Sequence, residues 1–159
     1  MKRLHVNILV KNLQQSIDFY SALFASEPTK QKSDYAKWML DDPRVNFAIT
    51  QKPLGGSGIE HLGIEAETQE ELQELYQRVE KAQMSMKDEG QTVCCYAKST
   101  KGWVDDPQKV SWELFHTHGD AEAFYGKDET CCEPAETKAD TACCEPVAKV
   151  IEKASGACC

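Results

Sequence analysis

The chain opens on an alternating pattern. Leu4, Val6, Ile8 and Val10 fall on one parity, His5 and Asn7 on the other. This is the period of a strand with one side turned to a core. Over residues 13–24 the apolar spacing lengthens to that of an amphipathic helix. The same succession then returns. Residues 59–66 alternate around Leu62 and Ile64, and residues 69–82 carry Leu72, Leu75, Tyr76 and Val79 at helical spacing. Further strands are predicted over residues 36–40 and 45–50 in the first half, and over 92–97 and 110–115 in the second. Pro53-Leu-Gly-Gly-Ser-Gly58 is the linker between the halves.

The two halves are an internal repeat. HVNILVKNLQQSIDFY (residues 5–20) aligns with HLGIEAETQEELQELY (61–76), so that His5 meets His61, Ile8 meets Ile64 and Tyr20 meets Tyr76. Asp41-Asp-Pro43 before VNFAIT matches Asp105-Asp-Pro107 before VSWELF. Strand, helix and strands, twice over, predict an α+β domain of two paired modules, about 1–52 and 59–118.

Strand parity selects candidate chemistry. His5 and His61 stand off the apolar side of equivalent strands. Glu113 stands off the side formed by Val110, Trp112 and Leu114. If the modules pack as pseudo-symmetric halves, these three meet in one cavity. Two imidazoles and a carboxylate leave open positions on a divalent ion, the donor set of non-haem Fe(II) oxygen chemistry, and Mn, Ni and Zn are also compatible. By parity alone Glu113 could equally be a solvated residue. His116 and His118 trail the last strand and are expected to be exposed.

After residue 118 the composition turns to Ala, Glu, Lys, Thr and Asp, with few large apolar side chains. Residues 119–159 therefore read as a solvated, flexible and disordered cysteine-rich tail. All eight cysteines are adjacent pairs: Cys94–Cys95, Cys131–Cys132, Cys143–Cys144 and Cys158–Cys159. Nothing at the amino terminus reads as a secretion signal, and no apolar run approaches the roughly 18 residues of a membrane helix. A cytoplasmic location, where thiols stay reduced, is the expectation. A net charge of −8 argues against nucleic-acid and anionic-membrane partners. Adjacent thiols suit a soft ion, provided that the backbone leaves extended geometry, since neighbours in a strand point to opposite faces. The Cys94–Cys95 segment is therefore expected to be a strand end or mobile loop that orders when a soft ligand bridges the two.

The stretches LHVNILVKNLQQSIDFY, YAKWMLDDPRVNFAI, GIEHLGI, TVCCYAK and WELF resemble the vicinal-oxygen-chelate superfamily of glyoxalases, bleomycin-resistance proteins and extradiol dioxygenases. Within it they are most similar to the ArsI carbon–arsenic lyases and the cadmium-induced CadI proteins. The resemblance covers about residues 1–118, and TVCCYAK is its most specific part. It implies a vicinal-oxygen-chelate fold of two βαβββ modules. It implies Fe(II), or another divalent ion, at His5, His61 and Glu113. It implies a small trivalent organoarsenical held by Cys94 and Cys95, with dioxygen as co-substrate, and a chain able to form a homodimer. The implied reaction turns methylarsenite into arsenite and a small aldehyde. Where many relatives carry a DPDG-like turn, this chain has Asp105-Asp-Pro-Gln-Lys109. The tail pairs Cys131, Cys132, Cys143, Cys144, Cys158 and Cys159 read as accessory soft-metal thiols. Two other functions fit in part. One is a non-catalytic protein that sequesters cadmium or arsenite. The other is a glyoxalase-like lyase or fosfomycin-type thiol transferase, which leaves Cys94–Cys95 unexplained. A glyoxalase also wants a fourth ligand, and Ala48 occupies the repeat position of Glu113.

Overall fold

In the computed structural model, residues 1–126 are described; the six tail cysteines lie outside them. The first module runs β1 (Arg3–Leu9), α1 (Leu13–Phe24), β2 (Lys30–Gln31), β3 (Tyr35–Asp41) and β4 (Arg44–Thr50). The second runs β5 (Gly58–Ala66), α2 (Gln69–Lys81), β6 (Met86–Cys94), β7 (Ala97–Asp105) and β8 (Ser111–Asp120), and β9 (Tyr125–Gly126) follows. Both modules are βαβββ. One nine-stranded sheet joins them in the order β2-β3-β4-β1-β5-β8-β7-β6-β9. The centre of that order is the antiparallel pairing of β1 with β5, the two repeat-equivalent strands.

The helices cover one face of the sheet. Asn12 caps α1 by accepting from the Gln15 amide at 3.0 Å, and Thr68 caps α2 by accepting from the Glu71 amide at 3.3 Å. Glu70 and Glu71 in the first turn of α2, with Arg78 and Lys81 in its last, complement the helix dipole. Beneath α1 lies a cluster of Leu13, Ile17, Trp38, Val45, Phe47 and Ile49; beneath α2 lies a smaller one of Ala66, Leu72, Leu75, Val79 and Leu114.

The opposite face carries the buried polar residues. Strand parity is as expected, but its burial is reversed in β1: His5 and Asn7 are 6% and 2% exposed, whereas Leu4 is 48% exposed. The polar side of each central strand faces a cavity, and the apolar side is completed only where a helix reaches it.

Two strand assignments change. Residues 92–97 are not one strand but the tip of the β6–β7 hairpin. Most of β6 is an exposed polar strand, MKDEGQTVC, with only Val93 fully buried, and β7 buries Ser99 and Lys101, so neither shows the expected apolar alternation. The last strand extends past Phe115 to Asp120. It passes residue 118, and β9 then pairs antiparallel with β6 at Val93 and Cys94. The chain divides after Asp128.

Candidate metal centre and thiol pair

Three neighbouring strands place His5, Gly63 and Glu113 on one rung. His5 pairs with Gly63 across β1 and β5, and Gly63 pairs with Glu113 across β5 and β8. His61 sits two residues before Gly63 on the same side of β5. The glycine makes the hollow in which the three side chains converge. A β-carbon at position 63 would lie 2.5 Å from the Glu113 carbonyl oxygen and 3.2 Å from its Cβ. Sequence reading passed over Gly63; its place between two candidate ligands shows only once strand register is known.

The donor atoms form a compact triangle. His5 Nε2 lies 3.1 Å from His61 Nε2, and the two lie 3.7 and 3.6 Å from Glu113 Oε2. A point equidistant from atoms so separated is about 2 Å from each, the length of a metal–imidazole or metal–carboxylate bond. The donor set therefore fits one divalent ion, and it is the cluster of this kind among the described residues. The His5 Nδ1 pairs with the Asn46 carbonyl at 3.0 Å, which, with Nδ1 as donor, leaves the Nε2 lone pair facing the triangle. Ala48 is the pseudo-symmetric counterpart of Glu113: it pairs with Asn7 as Glu113 pairs with Gly63. The site thus brings three candidate ligands together, with an alanine where a fourth would stand.

Burial shapes the electrostatics. It lowers the His5 pKa to about 4, against the opposing pull of Glu113. Burial would raise the Glu113 carboxyl, but the nearby His61 ring and the charge of Lys101 outweigh it and hold the carboxyl at about 2. Lys101, which from sequence could equally be a pocket cation or a solvated one, is 3% exposed and donates to Glu113 Oε1 at 3.0 Å.

The thiols sit at the end of the same cavity. Cys94 closes β6 opposite Ala97, and Cys95 and Tyr96 form the two-residue turn, with φ of 55° and 59°. Two left-handed residues make the turn that matches strand twist, a role usually given to Asn-Gly. Cys and Tyr there cost roughly 1–2 kcal/mol each. The turn is held from three sides. The Cys95 amide donates to the Phe124 carbonyl at 2.7 Å, and the Ala121 amide donates to the Tyr96 carbonyl at 2.9 Å. Lys30 Nζ donates to the same Tyr96 carbonyl at 2.7 Å, and the Tyr96 hydroxyl donates to Asp34 at 2.6 Å.

The left-handed turn brings together sulfurs that an extended strand would separate. Cys94 Sγ and Cys95 Sγ are 3.2 Å apart, well beyond the ~2.05 Å of a disulfide. The strand-end alternative thus describes the segment, and its turn sets the two sulfurs side by side. The hydrogen bond from the Cys95 thiol lowers Cys94 to about 7, and the same bond with burial drives Cys95 well up. The pair therefore sheds one proton early and holds the other. Both cysteines line one cavity with His5, Glu113, Lys101 and Ala48.

The remaining residues fall elsewhere. His118 is exposed and lies 2.7 Å from the Thr100 hydroxyl; His116, expected to be exposed, is half-buried with Nδ1 on the Ala66 carbonyl at 3.1 Å. Neither reaches the cavity. Tyr35, Lys37 and Thr117 line it and carried no sequence signal.

Residues 2–114 match the Glyoxalase/Bleomycin resistance protein/Dioxygenase superfamily. The chain is 40% identical to a trivalent organoarsenical cleaving enzyme of Bacillus sp. (strain MD1), over 99% of each chain. It is 34% identical to a probable trivalent organoarsenical cleaving enzyme of Bacillus subtilis (strain 168), over 91% of this chain and 100% of that one. It is 32% identical to the cadmium-induced protein CadI of Mycobacterium tuberculosis (strain ATCC 25618 / H37Rv), over 78% and 82%. In fold it is similar to the Mn(II)-bound glyoxalase from Novosphingobium aromaticivorans, with TM-score 0.53 and 16% identity, covering 81% of this chain and 44% of that one.

Proposed function

The chain belongs to the glyoxalase/bleomycin resistance protein/dioxygenase superfamily, and from that premise we propose that it is an enzyme cleaving the carbon–arsenic bond of trivalent organoarsenicals. Methylarsenite is the simplest substrate. The observation that carries this reading is one cavity lined by a paired thiol together with His5 and Glu113, whose donor atoms His61 Nε2 meets at 3.1 and 3.6 Å. The organoarsenical-cleaving relatives support it.

His5, His61 and Glu113 would hold the ion, Fe(II) in this reading, and the ion when bound supplies the activation of dioxygen. The chain's own residues do the rest. Cys94, ionised near neutral pH, displaces one hydroxyl of the arsenical, and Cys95 displaces the second, its thiol proton leaving with the departing hydroxyl as water. Arsenic is then held through two sulfur bonds, which fixes the methyl group within the cavity and makes the encounter with oxygen intramolecular. Phe115 and Ala48 supply apolar wall to the cavity. Methylarsenite and dioxygen balance to arsenite and formaldehyde. Aerobic turnover with Fe(II) and methylarsenite, scored for both products, tests the proposal; release of neither would end it.

Sequestration without catalysis is the second reading, favoured by the CadI likeness and by the cysteine pairs beyond residue 126. It expects tight binding of methylarsenite with no arsenite formed. In either reading the tail pairs serve as accessory soft-ion thiols, which their replacement by serine would test. A four-ligand glyoxalase site is disfavoured by Ala48.

A further inference from the structure

The roles assigned so far leave Lys101 unused. It is the most deeply buried cation of the cavity, on β7, diagonal to Glu113 across the β7–β8 pairing. Its ammonium lies 3.0 Å from Glu113 Oε1, 3.9 Å from Glu89 Oε2, and 5.3 Å from the centre of the Trp103 ring. Trp103 in turn meets His61 edge-on at 5.2 Å. The two oxygens of Glu113 are therefore divided. Oε1 belongs to the lysine, and Oε2 faces both imidazoles.

That division has a consequence for a bound ion. A carboxylate binds a divalent ion through one oxygen or through both, and the second oxygen takes up a coordination position. In a site of three protein ligands, each position spared stays available to water or a reactant. Resting on the reading of His5, His61 and Glu113 as metal ligands, we propose that Lys101 is a positioning residue that reserves Glu113 Oε1, so that the carboxylate offers the ion a single oxygen.

Simple charge neutralisation does not account for the lysine. A dication beside Glu113 already neutralises that carboxylate, and it repels an ammonium held a few ångströms away. The ammonium is retained there with Glu89 on one side and, on the other, Cys94, whose pKa its charge helps to lower. It stands between the thiol pair and the metal ligand while keeping one carboxylate oxygen occupied. An arginine could not substitute cleanly, because its planar fork would claim both oxygens.

Mn(II) tests this in the full chain, since its preference for oxygen and nitrogen donors keeps it from the cysteines. The measurements are Mn(II) affinity by calorimetry and the water-proton relaxation enhancement of bound Mn(II), which reports how many waters the ion keeps. In K101M the carboxylate is released to bind through both oxygens. Mn(II) should then tighten by about threefold or more while relaxivity falls by one water's worth. Unchanged relaxivity, or weaker binding, overturns the proposal while leaving the metal site standing. Absence of Mn(II) binding to the unaltered chain, judged against H61A, overturns both together. If K101M fails to fold, a crystal structure of the unaltered chain with Mn(II) decides. Glu113 Oε1 still on Lys101 supports the proposal, and both oxygens on the ion reject it.

Discussion

The two modules share the order βαβββ and differ in what each half buries. Under α1 the first module packs aromatic rings, with Tyr20 and Phe24 at 4.6 and 5.1 Å from Phe47, around a fully buried Trp38. Under α2 the second has a compact, mostly aliphatic cluster with the single ring of Tyr76 packed against it. On the cavity side the contrast inverts. The first module offers His5 among the neutral Asn7, Asn46, Ala48 and Thr50. The second offers His61, Glu65, Lys101 and Glu113. One copy of the repeat has become chiefly scaffold; the other carries the fully buried lysine and carboxylates, two of the three candidate ligands and the thiols. Symmetric placement of backbone thus accommodates an asymmetric division of labour, and Ala48 opposite Glu113 marks where the two diverge.

The largest effects should separate the two roles. His61→Ala or Glu113→Ala should weaken divalent-metal binding by more than about 100-fold, beyond what the loss of outer partners costs, and abolish arsenite release. Calorimetry and product analysis check this. Trp38→Ala in the first module should cost about 3–5 kcal/mol of stability in urea titration, with metal affinity of the folded protein unchanged. If the Trp38 variant lost its metal instead, the division between scaffold and chemistry would fall. Gly63→Ala should do both things at once. Its β-carbon crowds Glu113, so about 1–3 kcal/mol of overpacking should accompany weaker metal binding.

The thiol pair gives a smaller, pH-dependent effect. The Cys94 pKa is lowered, so its thiolate is present above about 7 and lost as pH falls. Alkylation of Cys94, read by peptide mass, should drop about tenfold for each pH unit below that value and level off above it. An unperturbed thiol would keep gaining rate up to about 8.5. The smallest effects should be alike in both modules: Asn12→Ala and Thr68→Ala should each cost about 1 kcal/mol, since each removes one helix cap. A much larger loss at either helix would show that the scaffolds are less equivalent than their caps.

Much of this arrangement was legible in the sequence. The period-2 pattern and the repeat placed β1, β5 and both helices, and the matching of His5 with His61 singled out two positions that the structure brings within 3.1 Å. What escaped had a physical reason. β6 is an exposed polar edge of the second module, so hydrophobic alternation is silent there. Lys101 and Glu65 are charged residues buried on the polar face of the sheet, where burial depends on the curl of the whole sheet and not on local pattern. Gly63 is defined by what lies across from it on β8. The Cys95–Tyr96 turn carries none of the glycine or asparagine that marks such turns, because its positive φ angles are imposed by bonds from Phe124, Ala121 and Lys30.

β9 bears on how the tail can be studied. The carbonyl that receives the Cys95 amide belongs to Phe124, and the strand beside Cys94 is residues 125–126. Cutting the chain where the composition changes, at His118, would delete the tail thiols and unlace the turn that aligns Cys94 with Cys95 in the same stroke. Lost activity in such a truncation would be ambiguous between the two. A stop codon placed after Asp128, or serine substitutions at Cys131 and beyond, isolates the tail's contribution. Genetic complementation with cells challenged by methylarsenite would then read that contribution alone.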